Sequence, residues 1–429
     1  MLKRVLAVAV AVLVGVGLGV VDASGQAADF NLYASAEVEK DKEASTAGHA
    51  GGHSEEVRHV EEVRKEVEER KPLEINAAVV GFFQGATCER IDAEKMKDPS
   101  GVGFAADFSA AYRPGIGIFE NSRLFTRVHV GEGRSADRHL GDNLFANLNT
   151  IADNSEIYIE DDDAIAWLPE LYLAHEFFDG RLTLVAGKTE ALVFIDDNEF
   201  ANNPYAQFVG KAFVNNPILD AENEFAPIAA ATLSPVESFS VSALAVSSSR
   251  PGGIEGIRKS VYDKIFDKPM YAAQAAWSPK YQGLQGNYRV YFWNAPYSHV
   301  KSTGREGADG WGVGVSLDQQ VTERVGLFAR AAYGNEDAYD ADWFWSVGVN
   351  LKGWIPSREK DELGVGVAGI QGCGDRLHRD TEVHLEAYYR ILIREYFAIS
   401  PDIQYVANPV GNSRNDPIVA GMIRVELFY

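Results

Sequence analysis

The chain has little of what several protein classes need. Its two cysteines, Cys88 and Cys373, permit at most one disulfide in 429 residues. Positive charge is scarce: 40 Lys and Arg against 62 Asp and Glu leave a formal net charge of −22, which argues against a nucleic-acid or phosphate-seeking surface. Long apolar runs are missing after the first 21 residues, so no later stretch approaches the ~20 residues a membrane-crossing helix requires. No linker divides the last three quarters of the chain. No nucleophile stands at a suitable spacing from a histidine and a third group: His175, His384 and the serines Ser247 to Ser249 lack that arrangement, which argues against an enzyme.

What is present begins with an export signal over residues 1–27. Lys3 and Arg4 give it a positive start, Leu6 to Val21 an apolar centre, and Gly25-Gln26-Ala27 small residues before a cut near Ala28. Residues 28–72 form a polar segment. Within it, residues 54–70 (SEEVRHVEEVRKEVEER) carry Val57, Val60, Val63 and Val67 at helical spacing among charges, with Ser54 placed to cap the start and Pro72 to stop the end. The spacing predicts a short charged helix, either a solvated spacer or a seam that joins subunits or a periplasmic partner. His49, His53 and His59 have no carboxylate or cysteine at ligand spacing, so no metal site and no cofactor is expected.

From Leu73 to Tyr429 the sequence resolves into short alternating stretches. Strands are expected near 74–84, 102–113, 120–131, 168–177, 181–187, 226–235, 238–248, 270–279, 286–296, 310–321, 324–334, 344–355, 361–370, 381–392, 397–409 and 416–429. Sixteen is an even number, as single-chain bacterial barrels require. Tight joints alternate with long ones at 132–167, 188–225 and 249–269, a sorting that a soluble sandwich has no reason to make. An exported chain without spanning helices can cross a membrane only as a closed barrel, because an open sheet leaves backbone groups unpaired in lipid. The expected fold is all-β: a sixteen-stranded antiparallel transmembrane β-barrel over residues 73–429, with the short N-terminal helix in the periplasm.

The period of two assigns faces. In 416–429, Val419, Gly421, Ile423, Val425, Leu427 and Tyr429 share one face, and Met422, Arg424 and Glu426 the other. By the same alternation Arg123, Arg127, Arg289, Tyr291, Trp293, Glu386, Arg390, Asp402, Arg424 and Glu426 point inward. Charges of both signs on one face cannot meet lipid, where an Arg or Lys near the midplane costs roughly 2–4 kcal/mol. They line a wet or salt-bridged interior, and a structural ion pair bracing the wall is the competing reading for each. The closing pair is expected between 416–429 and 74–84.

Phe194 to Asp220 is too polar and too long for an ordinary joint. Its carboxylates and amides, Asp196, Asp197, Asn198, Asn202, Asn203 and Gln207, alternate with Phe194, Phe200, Tyr205, Phe208 and Phe213. Such groups offer paired donors and acceptors to vicinal hydroxyls, and aromatic faces suit the C–H faces of a sugar ring. Folded into the lumen, this loop would narrow it; packed over its neighbours, it would remain an external cover.

The run DDNEFANNPYAQFVGKAFVNNP at 196–217, preceded by RLTLVAGK and by GDNLFANLN at 141–149, resembles the carbohydrate-selective, OprB-like porin family. So does the end of the chain, YFAISPDIQYVANPVGNSRNDPIVAGMIRVELFY. The resemblance covers roughly Leu73 to Tyr429. It implies an outer-membrane channel of a Gram-negative-type bacterium that admits sugars passively, with inward Arg and Glu around a constriction. Membrane lipid and small sugars or other small solutes are then the expected partners. The helix at 54–70 is outside the family pattern and adds the prospect of a homo-oligomer or a periplasmic tether. A general porin without sugar preference is the alternative. Cys88 and Cys373 fall in the first and seventh external loops near the seam, where they either bridge or remain two thiols.

Overall fold

The computed structural model describes residues 72–88, 90–91, 94–95, 99–140, 144–152, 165–219, 225–247, 265–266, 269–300, 306–373 and 378–429. The export signal, the expected helix at 54–70, His49, His53 and His59, and the Asp-Asn pair at 142–143 lie outside the described residues.

Sixteen long strands make one sheet, in chain order β1 (Leu73–Thr87), β2 (Ser100–Tyr112), β3 (Ser122–Gly133), β4 (Ile165–Phe177), β5 (Leu182–Glu190), β6 (Phe225–Val236), β7 (Phe239–Val246) and β8 (Met270–Trp277), then β9 (Leu284–Val300), β10 (Glu306–Thr322), β11 (Val325–Gly334), β12 (Ala341–Lys352), β13 (Glu362–Gly372), β14 (Thr381–Arg394), β15 (Phe397–Ala407) and β16 (Ile418–Phe428). The two-residue strand Lys280–Tyr281 joins the same sheet beside β9. Each long strand pairs antiparallel with the next. β1 pairs with β2 on one side and with β16 on the other, from Ala78↔Phe428 to Thr87↔Val419, and the sheet closes. The expected closing pair is therefore found, and the barrel has no open edge.

Alternation fixes the faces. Ile423 is 52% exposed on the outer row of β16, while Arg424 beside it is wholly buried. In β9, Val290 and Phe292 face out, and Arg289, Tyr291 and Trp293 are buried inside. In β14, Leu385 faces out and Glu382, His384, Glu386, Tyr388 and Arg390 are buried. One row satisfies lipid and the other satisfies charge, so a slip of one residue in register would put Arg and Glu into hydrocarbon.

Strand ends differ by a few residues from expectation, most at β9 and β10, whose ladder runs on from Ala295↔Gly310 to Val300↔Glu306 through register shifts. Glycines on β10 matter to the wall. Trp293 and Tyr291 lie flat over Gly312 and Gly314, where a Cβ would come within 2.1 and 2.3 Å of those rings.

Of the two options for the cysteines, bridged or unbridged, the structure has the second, with Cys88 and Cys373 both buried. Cys88 packs with Ile91, Leu140 and Ile418, whereas the Cys373 thiol donates to the Tyr339 carbonyl at 3.3 Å. Each sulfur has its own surroundings, and the seam is held by the ladder instead.

Candidate functional site

The segment after β5 turns into the barrel. It contains a 3-10 turn at Ala191–Val193 and a single helical turn at Lys211–Val214, and otherwise it is built from side-chain-capped bends. The Asn198 side-chain oxygen accepts from Phe200 N–H at 3.1 Å, that of Asn203 from Tyr205 N–H at 3.0 Å, and that of Asn216 from Ile218 N–H at 3.0 Å. These Asx turns explain why the stretch is rich in asparagine, since the side chain supplies the hydrogen bond that irregular backbone lacks. Its apolar residues meet the wall. Phe200 lies against Gly326 of β11, and Phe208 and Phe213 lie against Gly366 of β13. Phe208 also stacks on Phe213 at 5.0 Å and meets Tyr388 of β14 edge-on at 5.0 Å.

Polar clamps complete the attachment. Arg330 of β11 is fully buried and donates to the Asp196 carboxylate at 3.2 Å, to the Asp196 carbonyl at 3.1 Å, to the Phe213 carbonyl and to the Asn202 side chain. Asp196 also accepts from Asn216 N–H at 2.7 Å and from the Tyr291 hydroxyl at 3.0 Å. Burial raises its carboxyl above the ordinary range, even though Arg330, the Asn216 N–H and the Tyr291 hydroxyl favour the anion. Beside this cluster, Arg289 binds Asp318 of β10 at 2.5 Å and Asp197 at 3.3 Å. Asn198 donates to Ser316 and to the Leu317 carbonyl, both at 3.2 Å.

The loop continues to the opposite wall. Glu386 of β14 accepts from the N–H groups of Val209 and Gly210 at 2.6 and 2.9 Å. Arg424 of β16 donates to the Pro204 carbonyl at 2.5 Å, and the Tyr205 hydroxyl donates to Asp107 of β2 at 2.6 Å. Burial, with Asp107 next to it, pushes the Tyr205 hydroxyl far up, so it remains a donor. Bonds to β2, β9, β10, β11, β14 and β16 on both sides of the wall place the loop across the lumen, as one of the two sequence readings expected.

A second set of inward contacts was not foreseen. Residues 134–140 and 144–152, after β3, also bind the inner wall: Phe145 N–H donates to Glu382 at 2.9 Å, Ala136 N–H to Gln84 at 3.1 Å, and Gln404 donates to the Leu148 carbonyl at 2.9 Å. The two loops also bind each other, Thr150 N–H to the Val209 carbonyl at 3.0 Å and Lys211 N–H to the Asn147 carbonyl at 2.9 Å. Inward carboxylates and amides at Gln84, Glu382 and Gln404 were the available signal, but alternation gives a residue's face and not its partner.

The remaining candidates separate into two groups. Arg390 binds Glu426 at 2.8 Å, Glu426 accepts from Ser400 at 2.8 Å, and Asp402 accepts from Gln404 at 3.2 Å and lies 3.9 Å from Arg424. Trp293 is wholly buried with its indole N–H on the Tyr339 hydroxyl at 2.9 Å. On the β2–β4 wall, by contrast, Arg127 contacts Glu170 at 2.7 Å and Asp107 at 3.6 Å while keeping part of its side chain accessible. Arg123 lies over the Phe125 ring at 5.4 Å, with Glu74 at 4.0 Å. On the loop itself Asp197, Asn202, Asn203 and Gln207 retain partial exposure, whereas Asp196 and Asn198 are buried. Among the described residues no three His, Cys, Asp or Glu side chains gather as a metal site would need.

A closed wall of this size with a loop pinned across its interior is porin architecture, and the comparison with known families agrees. The model of the carbohydrate-selective porin, OprB family, matches residues 115–427. The chain belongs to this family. Porin B of Pseudomonas aeruginosa is 25% identical over 198 residues, covering 39% of this chain and 38% of that protein, so the match spans well under half of the curated relative. An uncharacterized protein of Aquifex aeolicus is 26% identical over 299 residues, covering 69% of this chain and 81% of its own length. Among solved structures, the high-pH structure of Pseudomonas putida OprB superposes with a TM-score of 0.68 at 18% identity, over 86% of this chain and 96% of that one, a likeness of fold. The porin is an outer-membrane protein of the Gram-negative type, and membership of this family points to a channel rather than an enzyme. The family implies lipid against the outer rows and small solutes in the lumen.

Proposed function

We propose that this porin passes small hydroxyl-rich solutes, sugars foremost, by passive diffusion through the constriction formed by residues 191–219 together with 134–140 and 144–152. The observation that carries the reading is the division of labour within the first loop. Its apolar side and its buried Asp196 and Asn198 fasten it, while Asp197, Asn202, Asn203 and Gln207 keep partial access. Amides and a carboxylate at such a narrowing supply hydroxyl partners without enclosing a ligand, and a channel needs contacts weak enough to release what they bind. Arg123 and Arg127 supply donors from the wall. Asn198, Tyr291, Trp293, Arg289, Glu386, Arg390, Asp402, Arg424 and Glu426 act behind this surface by holding the loop and the wall.

Planar-bilayer recording with added sugars tests the proposal. The expected outcome is a stepwise channel current that glucose or an oligosaccharide reduces in a concentration-dependent manner. A current that sugars leave unchanged, or that a neutral polyether of equal size reduces as well, would favour the general-porin reading. That alternative draws support from the Gln207 side-chain oxygen, which already accepts from Asn202 and Asn203 N–H at 3.0 and 3.1 Å and so has less to offer a sugar.

A further inference from the structure

The short-turn end of the barrel carries an apolar patch that the channel does not use. The joint between β2 and β3 spans residues 113–121, far longer than the turns at Phe178–Arg181 or Thr322–Arg324, and its sequence is RPGIGIFEN. Gly115 and Gly117 take φ of +61° and +53°, which lets the chain bend around Ile116. Ile116 is 69% exposed and Ile118 82%, with Phe119 beside them at 45%. The next turn along the rim adds Phe178 at 74%, and Glu176 N–H bonded to the Asn121 carbonyl at 2.9 Å holds the two turns together. On the other side the patch continues to Leu73 and Tyr112, which pair across β1 and β2.

The chain enters the barrel at this place. The Pro72 carbonyl accepts from Arg113 N–H at 2.8 Å, so whatever precedes residue 72 departs from the base of the 113–121 turn. What precedes it in sequence is the amphipathic stretch 54–70, whose four valines form a stripe too narrow to be stable alone. From Val57 to Val67 that stripe would run ~15 Å along a helix. From Leu73 on β1 to the turn after β4 the rim runs about three and a half strand spacings, roughly 17 Å. The lengths match, and the two-residue link Lys71-Pro72 between this stretch and Leu73 leaves Val63 and Val67 within reach of Ile116 and Ile118.

We propose that residues 54–70 dock as a helix along the short-turn rim of their own barrel, seating Val67 and Val63 against Ile116 and Ile118 and Val60 and Val57 toward Phe119 and Phe178. The docked helix covers the exposed apolar side chains of this rim. It presents its Glu and Arg face beside the barrel mouth, where passing solutes meet it.

The full-length protein in its own membrane serves for the test, with a benzophenone amino acid replacing Ile118. Ultraviolet cross-linking followed by mass spectrometry is expected to place the adduct on residues 60–67 of the same chain, at monomer size. Val63→Asp should lower that yield at least about fivefold while the barrel keeps its heat-modifiable mobility. Adducts to lipid alone would overturn the proposal and assign the patch to the membrane interface. Dimer-sized adducts would overturn it in favour of a helix shared between copies. A folded barrel that yields no adduct, or a Val63→Asp yield equal to wild type, would overturn it as well.

Discussion

The two sides of the lumen use the same side chains for different ends. On the β9–β11 side, Arg289 and Arg330 are buried, and every oxygen they approach is provided by the loop or the neighbouring strand. On the β2–β4 side, Arg123 and Arg127 project from an equally regular strand but keep partial access, and the nearest carboxylate to Arg123 stands at 4.0 Å. Strand alternation delivers both pairs inward. The difference lies in what meets them: the loop binds Arg289 and Arg330 directly, whereas the neighbours of Arg123 and Arg127 are wall side chains, Glu74 and Phe125 for the first and Glu170, Asp107 and Phe225 for the second, which leaves this pair as the one proposed to face solute.

Removing the buried support should have the largest effect. Arg330→Met leaves Asp196 in the interior without its cation and releases the Asn202 and Phe213 oxygens. Breaking one partner of such a buried pair typically costs about 3–5 kcal/mol. Expected outcomes are a lower melting temperature, faster tryptic cleavage at Lys211 and a severalfold larger single-channel conductance as the loop leaves the lumen. Glu386→Gln should be milder. It retains an acceptor for Val209 and Gly210 N–H but loses the charge that strengthens those bonds, a change of about 1–2 kcal/mol. Conductance should rise less, with noise from partial loop release.

Arg123→Ala should reverse the pattern. Stability is expected to change by less than about 1 kcal/mol because its ion pair is long and partly solvated. Reversal potentials in a salt gradient should move toward cation preference, and block by sugar should weaken severalfold. If Arg123→Ala destabilises the barrel as much as Arg330→Met, the contrast between the two sides is lost.

The smallest effect is expected far from the lumen, in the turn between β12 and β13. Burial alone would raise the Asp361 carboxyl, but hydrogen bonds from Arg358 and Tyr389, at 2.7 Å each, and from Leu392 N–H at 3.0 Å outweigh it and hold it below its ordinary value. A carboxyl lowered by folding contributes stability that is complete above its unfolded value of about 3.9 and is lost as pH falls through the lower folded one. Melting temperature measured from pH 6 to 3 should therefore decline less steeply in Asp361→Asn than in wild type, with conductance at neutral pH unchanged in both.

Much of this was legible in the sequence because a barrel wall is a local pattern. Val290, Phe292, Ile423 and Val425 could be assigned to lipid, and Arg289, Tyr291 and Arg424 to the interior, from neighbours two residues away. The inward course of 194–219 could be expected from its polar length and its asparagines. The inward contacts of 134–140 and 144–152 could not, because Phe145 meets Glu382 and Leu148 meets Gln404 across more than 230 residues, and nothing near either end announces the other. For the same reason sequence could name Asp196 and Asp197 together but could not tell that one is sealed under Arg330 while its neighbour stays open beside Arg289.

The pairing of β1 with β16 also sets an order in time. β1 can find β2 at once, across a joint of a dozen residues, but Val80 must wait for Glu426 about 350 residues later in the chain, a loop whose closure entropy alone is about 5 kcal/mol. Until that meeting both terminal strands offer bare backbone to any other strand nearby. The slow and exposed moment in this molecule's life is thus its last one. Any protection those two edges need is needed until they reach each other.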